Sequence, residues 1–176
     1  MDARDLLPRL VQAARSGPDA VLAAVDAPLR ALGFAPRATA SSPRAVLWRR
    51  GDARVALSGH VDVVPVGEGW TRDPFGGEVA EGRVWGRGAC DMLGSVACFV
   101  GAAALARDAP AAILLTTDEE TTMHAARHAL DEAREEGCGF HAGRAPGAAL
   151  KVQAEGDERH RAMRGATWVF QRPNAA

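Results

Sequence analysis

Two apolar segments of this chain empty directly into polar loops, and that arrangement constrains the fold most. Val55–Ser58 runs into Gly59-His60-Val61-Asp62, and Ala111–Leu115 runs into Thr116-Thr117-Asp118-Glu119-Glu120. Between them, Gly86-Arg87-Gly88-Ala89-Cys90-Asp91 follows a strand-like stretch and opens an Ala-rich helix expected over about Met92–Arg107. A further helix is expected over about 121–136. Strands alternating with helices imply an α/β class, here a mixed sheet sandwiched by helices. In such sheets, ligand sites gather beyond the carboxyl ends of the strands. Loops about 30 residues apart along the chain can therefore converge on one pocket.

The first third reads as scaffold. Asp5 is expected to cap a helix running to about Ser16, with Pro8 in its first turn. Gly17-Pro18 breaks that helix. Val21, Leu22, Val25, Leu29 and Leu32 then share one face of a second helix over 19–32, where Pro28 should introduce a kink and Gly33 fits the C-terminal cap. Ala45–Trp48 reads as a strand, and Glu78–Ala80 with Arg83–Trp85 as a hairpin turning at Glu81-Gly82. After Gly137 the periodicity fades. Residues 141–164 show no convincing element, and Gly165–Phe170 reads as one more strand. The expected organisation is a domain portion over 1–136 and an atypical tail over 137–176.

Composition removes several classes of function. With 47% hydrophobic residues and a formal net charge of −1, wholesale disorder and a general nucleic-acid grip are both disfavoured. No apolar run reaches the roughly 18 residues of a membrane span, and the first ten residues mix acids and bases without an apolar core, so no secretory leader is expected. Three cysteines without a CxxC pair fit a reducing, cytoplasmic setting and argue against a thiolate metal site.

The acidic loops carry the chemistry. A neutral His nitrogen together with Asp and Glu oxygens suits zinc, cobalt or manganese better than calcium. In Glu119-Glu120 the two side chains diverge, so one can ligate while the other faces a substrate. In His60-Val61-Asp62 a spacing of two puts both side chains on one side of an extended segment, where Asp62 can orient the His60 ring. Each fragment alone has a plainer explanation: a hydrogen-bonded His–Asp pair, an N-cap at Asp91, a solvated helix start at Asp118-Glu119-Glu120. Their order and shared strand-to-loop setting favour a joint metal pocket.

These residues also carry a family resemblance. Leu57–Ala97 resembles the metal-binding core of the M20 metallopeptidases, and Ile113–Thr121 resembles that family's Glu-Glu motif. Within the family the segment is most similar to acetylornithine deacetylase, with succinyl-diaminopimelate desuccinylase and related carboxypeptidases near by. The resemblance implies an M20-type catalytic domain, incomplete and without the inserted lid. It implies two divalent ions, Zn2+ or Co2+ with Mn2+ as an option. His60 would bind the first, Asp91 bridge both, and Glu120 bind the second. Glu119 would be the general base and acid, and Asp62 the orienter of His60. The implied reaction is amide hydrolysis of a small N-acylated amino acid, as in arginine biosynthesis.

The departures from the family pattern lie mostly downstream. Leu93 stands where the family has Lys, and Cys90 where it often has Thr or Ser. Glu155, in Ala154-Glu155-Gly156, is the candidate for a further acidic ligand. No residue corresponds to the family's last metal-binding His. A truncation, a shifted frame between about 137 and 163, or a specialised short homologue would each account for this. Two readings stay open: an active amidohydrolase, or an inactive remnant that binds at most one ion and self-associates or needs a complementing subunit. Elsewhere, His124 and His128 read as surface residues of a helix, His141 and His160 as solvated residues of the tail, and Cys90 as buried filler. Trp70 and Phe75 read as packing for the long loop. Gly86, Gly88 and Gly94 do not make a phosphate loop, because the full glycine pattern and its Lys-Ser/Thr ending are absent.

Overall fold

The computed structural model describes residues 2–40, 43–53, 55–135, 141–143 and 169–171. Helices α1 (Ala3–Ala14) and α2 (Pro18–Ala31) come first, then strands β1 (Ala35–Ala38), β2 (Ala45–Arg50) and β3 (Val55–His60). The hairpin β4 (Glu78–Ala80) and β5 (Arg83–Trp85) follows. An irregular turn over Ala89–Leu93 leads into α3 (Gly94–Leu105), then come β6 (Ala111–Thr116), α4 (His124–Glu135), β7 (His141–Gly143) and β8 (Val169–Gln171). Six strands form one sheet in the order β1-β2-β6-β3-β8-β7, and β4 pairs with β5 alone. Only the β3–β6 pair is parallel among the ladders described; the others are antiparallel. The class is therefore the expected one, a mixed sheet between helices.

Helices α1, α2 and α3 cover one face. Leu6, Leu10, Val11, Val21, Val25 and Leu29 from the first two, with Val96 and Val100 from α3, pack on Val46, Trp48, Ile113 and Leu115 of the sheet. The other face is lined by Ala45, Ala56, Ala112 and Leu114 and covered by α4 through Ala125 and Ala129. The period-two alternation along β6, with Ala112 and Leu114 to one side and Ile113 and Leu115 to the other, is what a strand buried on both faces requires. Trp48 is 1% exposed. Its indole N–H donates to the Asp26 carboxylate of α2 at 2.9 Å, and the other Asp26 oxygen accepts from Arg30 at 2.6 Å.

Several boundaries differ from the sequence expectation. Asp2, not Asp5, caps α1, its carboxylate accepting from the Arg4 backbone N–H at 2.9 Å. The helix thus starts earlier and Pro8 falls beyond its first turn. Helix α2 has Pro18 at its start and runs on through Pro28. Its end is the expected glycine cap: Gly33 at φ +81° donates to Arg30 O, and Phe34 donates back to Leu29 O. The β4–β5 turn uses Glu81 and Gly82, both with positive φ (56° and 72°), the geometry that matches strand twist in a two-residue hairpin. The edge strand β1 has no counterpart in the sequence reading. Ala-Pro-Arg-Ala shows no alternation, and Pro36 is tolerated because β1 lies at the sheet edge. The short β7 lies where no element was expected, and of the expected strand at Gly165–Phe170 the described part belongs to β8. Cys90 is exposed, not buried filler. No helix among the described residues is long and apolar enough to cross a membrane.

Candidate metal centre

The site begins with the parallel β3–β6 pair. Its register sets His60 opposite Thr116, so both strands end at the same level. The Val61 N–H donates to Thr116 O at 2.9 Å and holds the two outgoing loops side by side. The third loop arrives from the turn before α3. The Met92 thioether accepts the His60 backbone N–H at 3.3 Å, which ties the Asp91 segment to the end of β3. Gly59 makes this approach possible, because a Cβ there would lie 2.7 Å from the Met92 terminal methyl. The Asp91–Met92 peptide bond is cis.

His60 is 5% exposed. Its Nδ1 lies 3.0 Å from the Asp62 carbonyl oxygen and 3.6 Å from the Asp62 carboxylate. Its Nε2 lies 3.1 Å from Asp91 Oδ1 and 3.9 Å from Glu119 Oε2. The carbonyl of Asp62, more than its carboxylate, fixes the ring. The carboxylate is engaged elsewhere: Oδ1 accepts the Glu119 backbone N–H at 3.1 Å and Oδ2 accepts that of Glu120 at 2.9 Å. Asp62 thus joins the loop after β3 to the loop after β6.

One nitrogen of His60 and one carboxylate oxygen each from Asp91 and Glu120 lie within 4.8 Å of one another. This is a mixed nitrogen and oxygen donor set of the kind zinc and its neighbours accept. The electrostatics agree with a cation-seeking pocket. Burial pushes the Glu120 carboxyl up, and Asp91 adds to the rise by repulsion, against the opposing pull of His60. Burial would lower His60, but hydrogen bonds to Asp62 and Asp91 outweigh it and push the ring up to about 10. For Asp62, burial raises the carboxyl, while His60 and the two backbone N–H groups outweigh it and hold the group below its ordinary 3.8.

Of the residues expected at the site, His60, Asp62, Asp91, Glu119 and Glu120 come together here. Glu155 and His160 lie outside the described residues. His124 and His128 sit on α4 with ring centroids 6.3 Å apart and are not among the three clustered donors, and His141 falls in β7. Trp70 lies under the Arg87 guanidinium at 5.1 Å, and Phe75 packs on the main core. Two further residues shape the site, Met92 and Asp118. Met92 falls at the start of the expected helix, and Asp118 has no role of its own in the expected acidic loop. Asp118 is 5% exposed, and its carboxylate accepts from Thr122 Oγ1, from the His124 backbone N–H at 2.7 Å and from that of Ala125 at 3.1 Å. An Asp six residues ahead of the true helix start was the available signal.

A succinyl-diaminopimelate desuccinylase of Rhodospirillum rubrum is 44% identical over 100 residues, covering 47% of this chain and 26% of its own. The Gluconobacter oxydans desuccinylase is 40% identical over 135 residues, covering 69% of this chain and 35% of its own. The chain thus spans about a third or less of the length of these curated relatives. Among solved structures, an M20 family metallo-carboxypeptidase from Sulfolobus solfataricus superposes with a TM-score of 0.66 at 19% identity, over 77% of this chain and 35% of that one. Human carnosine dipeptidase 1 gives 0.61 at 22% identity, over 73% and 34%. These two likenesses show a shared fold. A sequence model of peptidase family M20/M25/M40 matches residues 56–169, the stretch that holds every site residue named above, and the chain belongs to that family.

Proposed function

We propose that this chain carries the ion-binding and proton-transfer residues of an amidohydrolase acting on a small N-acylated amino acid. The observation that carries the reading is the meeting of His60, Asp91 and Glu120 within 4.8 Å, with Glu119 beside them. We assign His60, Asp91 and Glu120 to hold divalent ions, zinc or cobalt with manganese as an option, Asp91 being shared if two are bound. When bound, such an ion supplies Lewis acidity to the scissile carbonyl and the attacking water. The chain's own residues do the rest. Glu119 takes the proton from the attacking water as its oxygen bonds to the carbonyl carbon. It delivers that proton to the leaving nitrogen as the C–N bond breaks, giving a carboxylate and an amine. The Asp62 carbonyl holds the His60 ring, and the Asp62 carboxylate pins the backbone on which Glu119 and Glu120 sit. Sequence resemblance alone pointed toward an acetyl group on ornithine. The names of the curated relatives support a succinyl group on a diamino acid instead, with a place in diaminopimelate formation.

A second reading is a remnant that binds one ion without turnover. It is favoured by the single three-donor group among the described residues. Calorimetric zinc titration of the chelator-stripped chain, combined with assays on N-succinyl and N-acetyl amino acids, separates the two. Under the first reading Glu119→Gln keeps zinc binding and loses about 10²–10⁴-fold in hydrolysis. Equal hydrolysis by Glu119→Gln overturns the assignment of Glu119. Zinc binding with no hydrolysis by the unaltered chain favours the remnant.

A further inference from the structure

Three consecutive acids, Asp118, Glu119 and Glu120, leave β6, and only the second and third face the ion-binding group. We propose that the first, Asp118, is a positioning residue that sets the geometry of the metal centre without touching it. The inference rests on the ion-binding reading above and extends it to a residue which that reading does not use.

The argument starts from burial. A carboxylate 5% exposed is costly unless its oxygens are satisfied. Asp118 is satisfied entirely by the chain that follows it: Thr122 Oγ1 and the backbone N–H groups of His124 and Ala125. Its backbone oxygen accepts as well, from the N–H groups of Thr121 (3.2 Å), Thr122 (3.1 Å) and Met123 (2.9 Å) and from Thr121 Oγ1 (3.3 Å). Residues 118–125 are thereby wound around one side chain and one carbonyl. Met123 is held at φ +57°, a conformation that a non-glycine residue keeps only where its surroundings impose it.

Glu119 and Glu120 lie inside this winding. Their backbone N–H groups are fixed from the other side by the Asp62 carboxylate. The Glu-Glu pair is thus clamped between two buried acids, Asp62 fixing its N–H groups and Asp118 fixing the chain on either side. Removing Asp62 affects both His60 and the pair. Removing Asp118 affects the pair alone, so it isolates the contribution of Glu120's placement. Partners of metal ligands commonly contribute about 10–100-fold to metal affinity. Asp118 acts one bond further out, through the backbone, and an effect of about tenfold is expected.

The test compares zinc affinity, by competition with a chromogenic chelator, in the unaltered chain, Asp118→Asn, Asp118→Ala and Asp26→Ala. Each is also unfolded in urea with chelator present. Asp26→Ala is the stability control, since Asp26 serves Trp48 and Arg30 in α2. Expected is a loss of about tenfold in zinc affinity for Asp118→Ala and a smaller loss for Asp118→Asn, which keeps one acceptor. Asp26→Ala should lose stability and keep its zinc affinity. If Asp118→Ala does not fold, Asp118→Asn carries the comparison. Unchanged affinity in the folded Asp118 variants reduces the residue to a helix cap and overturns the proposal alone. An unaltered chain that binds no zinc overturns the ion-binding reading, and this proposal falls with it.

Discussion

Asp62→Asn should destabilise the metal-free protein by about 2–3 kcal/mol, even though it removes a charge from a crowd of acids. The Asp62 carboxylate accepts two backbone N–H groups, from Glu119 and Glu120. Asparagine offers one acceptor and one NH2 group, so one of those N–H groups would face a donor. Leaving a buried donor unpaired costs about 1–3 kcal/mol, and the surviving bond loses its charge assistance, worth about a further 1 kcal/mol. Relief of repulsion with Asp91, which is exposed, and Glu120, which is half-buried, returns at most about 1 kcal/mol. The assay is urea unfolding at pH 7 with chelator present, followed by tryptophan fluorescence because Trp48 is fully buried. The midpoint should fall by about 1–2 M with an unchanged slope. The pH dependence adds a second check. The folded-state value of Asp62 is held below 3.8, so its contribution is complete above 3.8 and is lost as pH falls through that lowered value. The gap between the two proteins should therefore close in acid. A variant within about 0.5 kcal/mol of the unaltered chain, or a more stable one, would mean that repulsion among the acids outweighs the clamp.

Zinc uptake at pH 7.5 should release close to one proton from His60. The ring is held protonated up to about 10 in the metal-free protein and must be neutral to ligate. The stabilisation from its charge is complete below 6.5 and is lost as pH rises through about 10. Calorimetry in buffers of different ionisation enthalpy reads the proton directly, and a binding heat independent of buffer would contradict the pairing of His60 with Asp62 and Asp91. Gly77→Ala should cost more than Gly82→Ala in the same urea assay. Both glycines have positive φ (61° and 72°), worth about 1–2 kcal/mol each. At Gly77 a Cβ would also lie 2.5 Å from the backbone oxygen of Pro8, whereas at Gly82 it meets nothing within 4 Å. The excess at Gly77 should be about 1–3 kcal/mol, and equal costs would refute the close approach of that loop to α1.

What the sequence made legible was the part governed by local pattern. The apolar runs that become β3 and β6, the hairpin at Glu81-Gly82 and the glycine cap at Gly33 each depend on residues near by in the chain. The convergence of His60, Asp91 and Glu120 followed from a general property of α/β sheets. What stayed hidden depends on partners far away in sequence. β1 is a strand because β2 offers it a ladder, not because Ala-Pro-Arg-Ala favours one. The double use of Asp62, its carbonyl for His60 and its carboxylate for Glu119 and Glu120, depends on a loop 57 residues further on. Helix α4 starts later than its periodicity suggests because Asp118 winds residues 118–123 into a separate turn first.

The parallel β3–β6 ladder also bears on how the protein reaches its native state. Ala56 pairs with Ala112 and His60 with Thr116, so every rung joins residues 56 positions apart (112 − 56 and 116 − 60). Such pairing must wait for closure of the intervening hairpin and α3, which makes it a slow, non-local event. Until it occurs, His60 and Glu120 have no reason to be neighbours. A slip of the ladder by one residue would turn β3's inward side chains outward and part the ligands as well. An ion that needs the same end of both strands therefore discriminates against misregistered chains. Zinc added during refolding should raise the yield of native protein more than zinc added afterwards, with the metal acting as a proofreader of strand alignment.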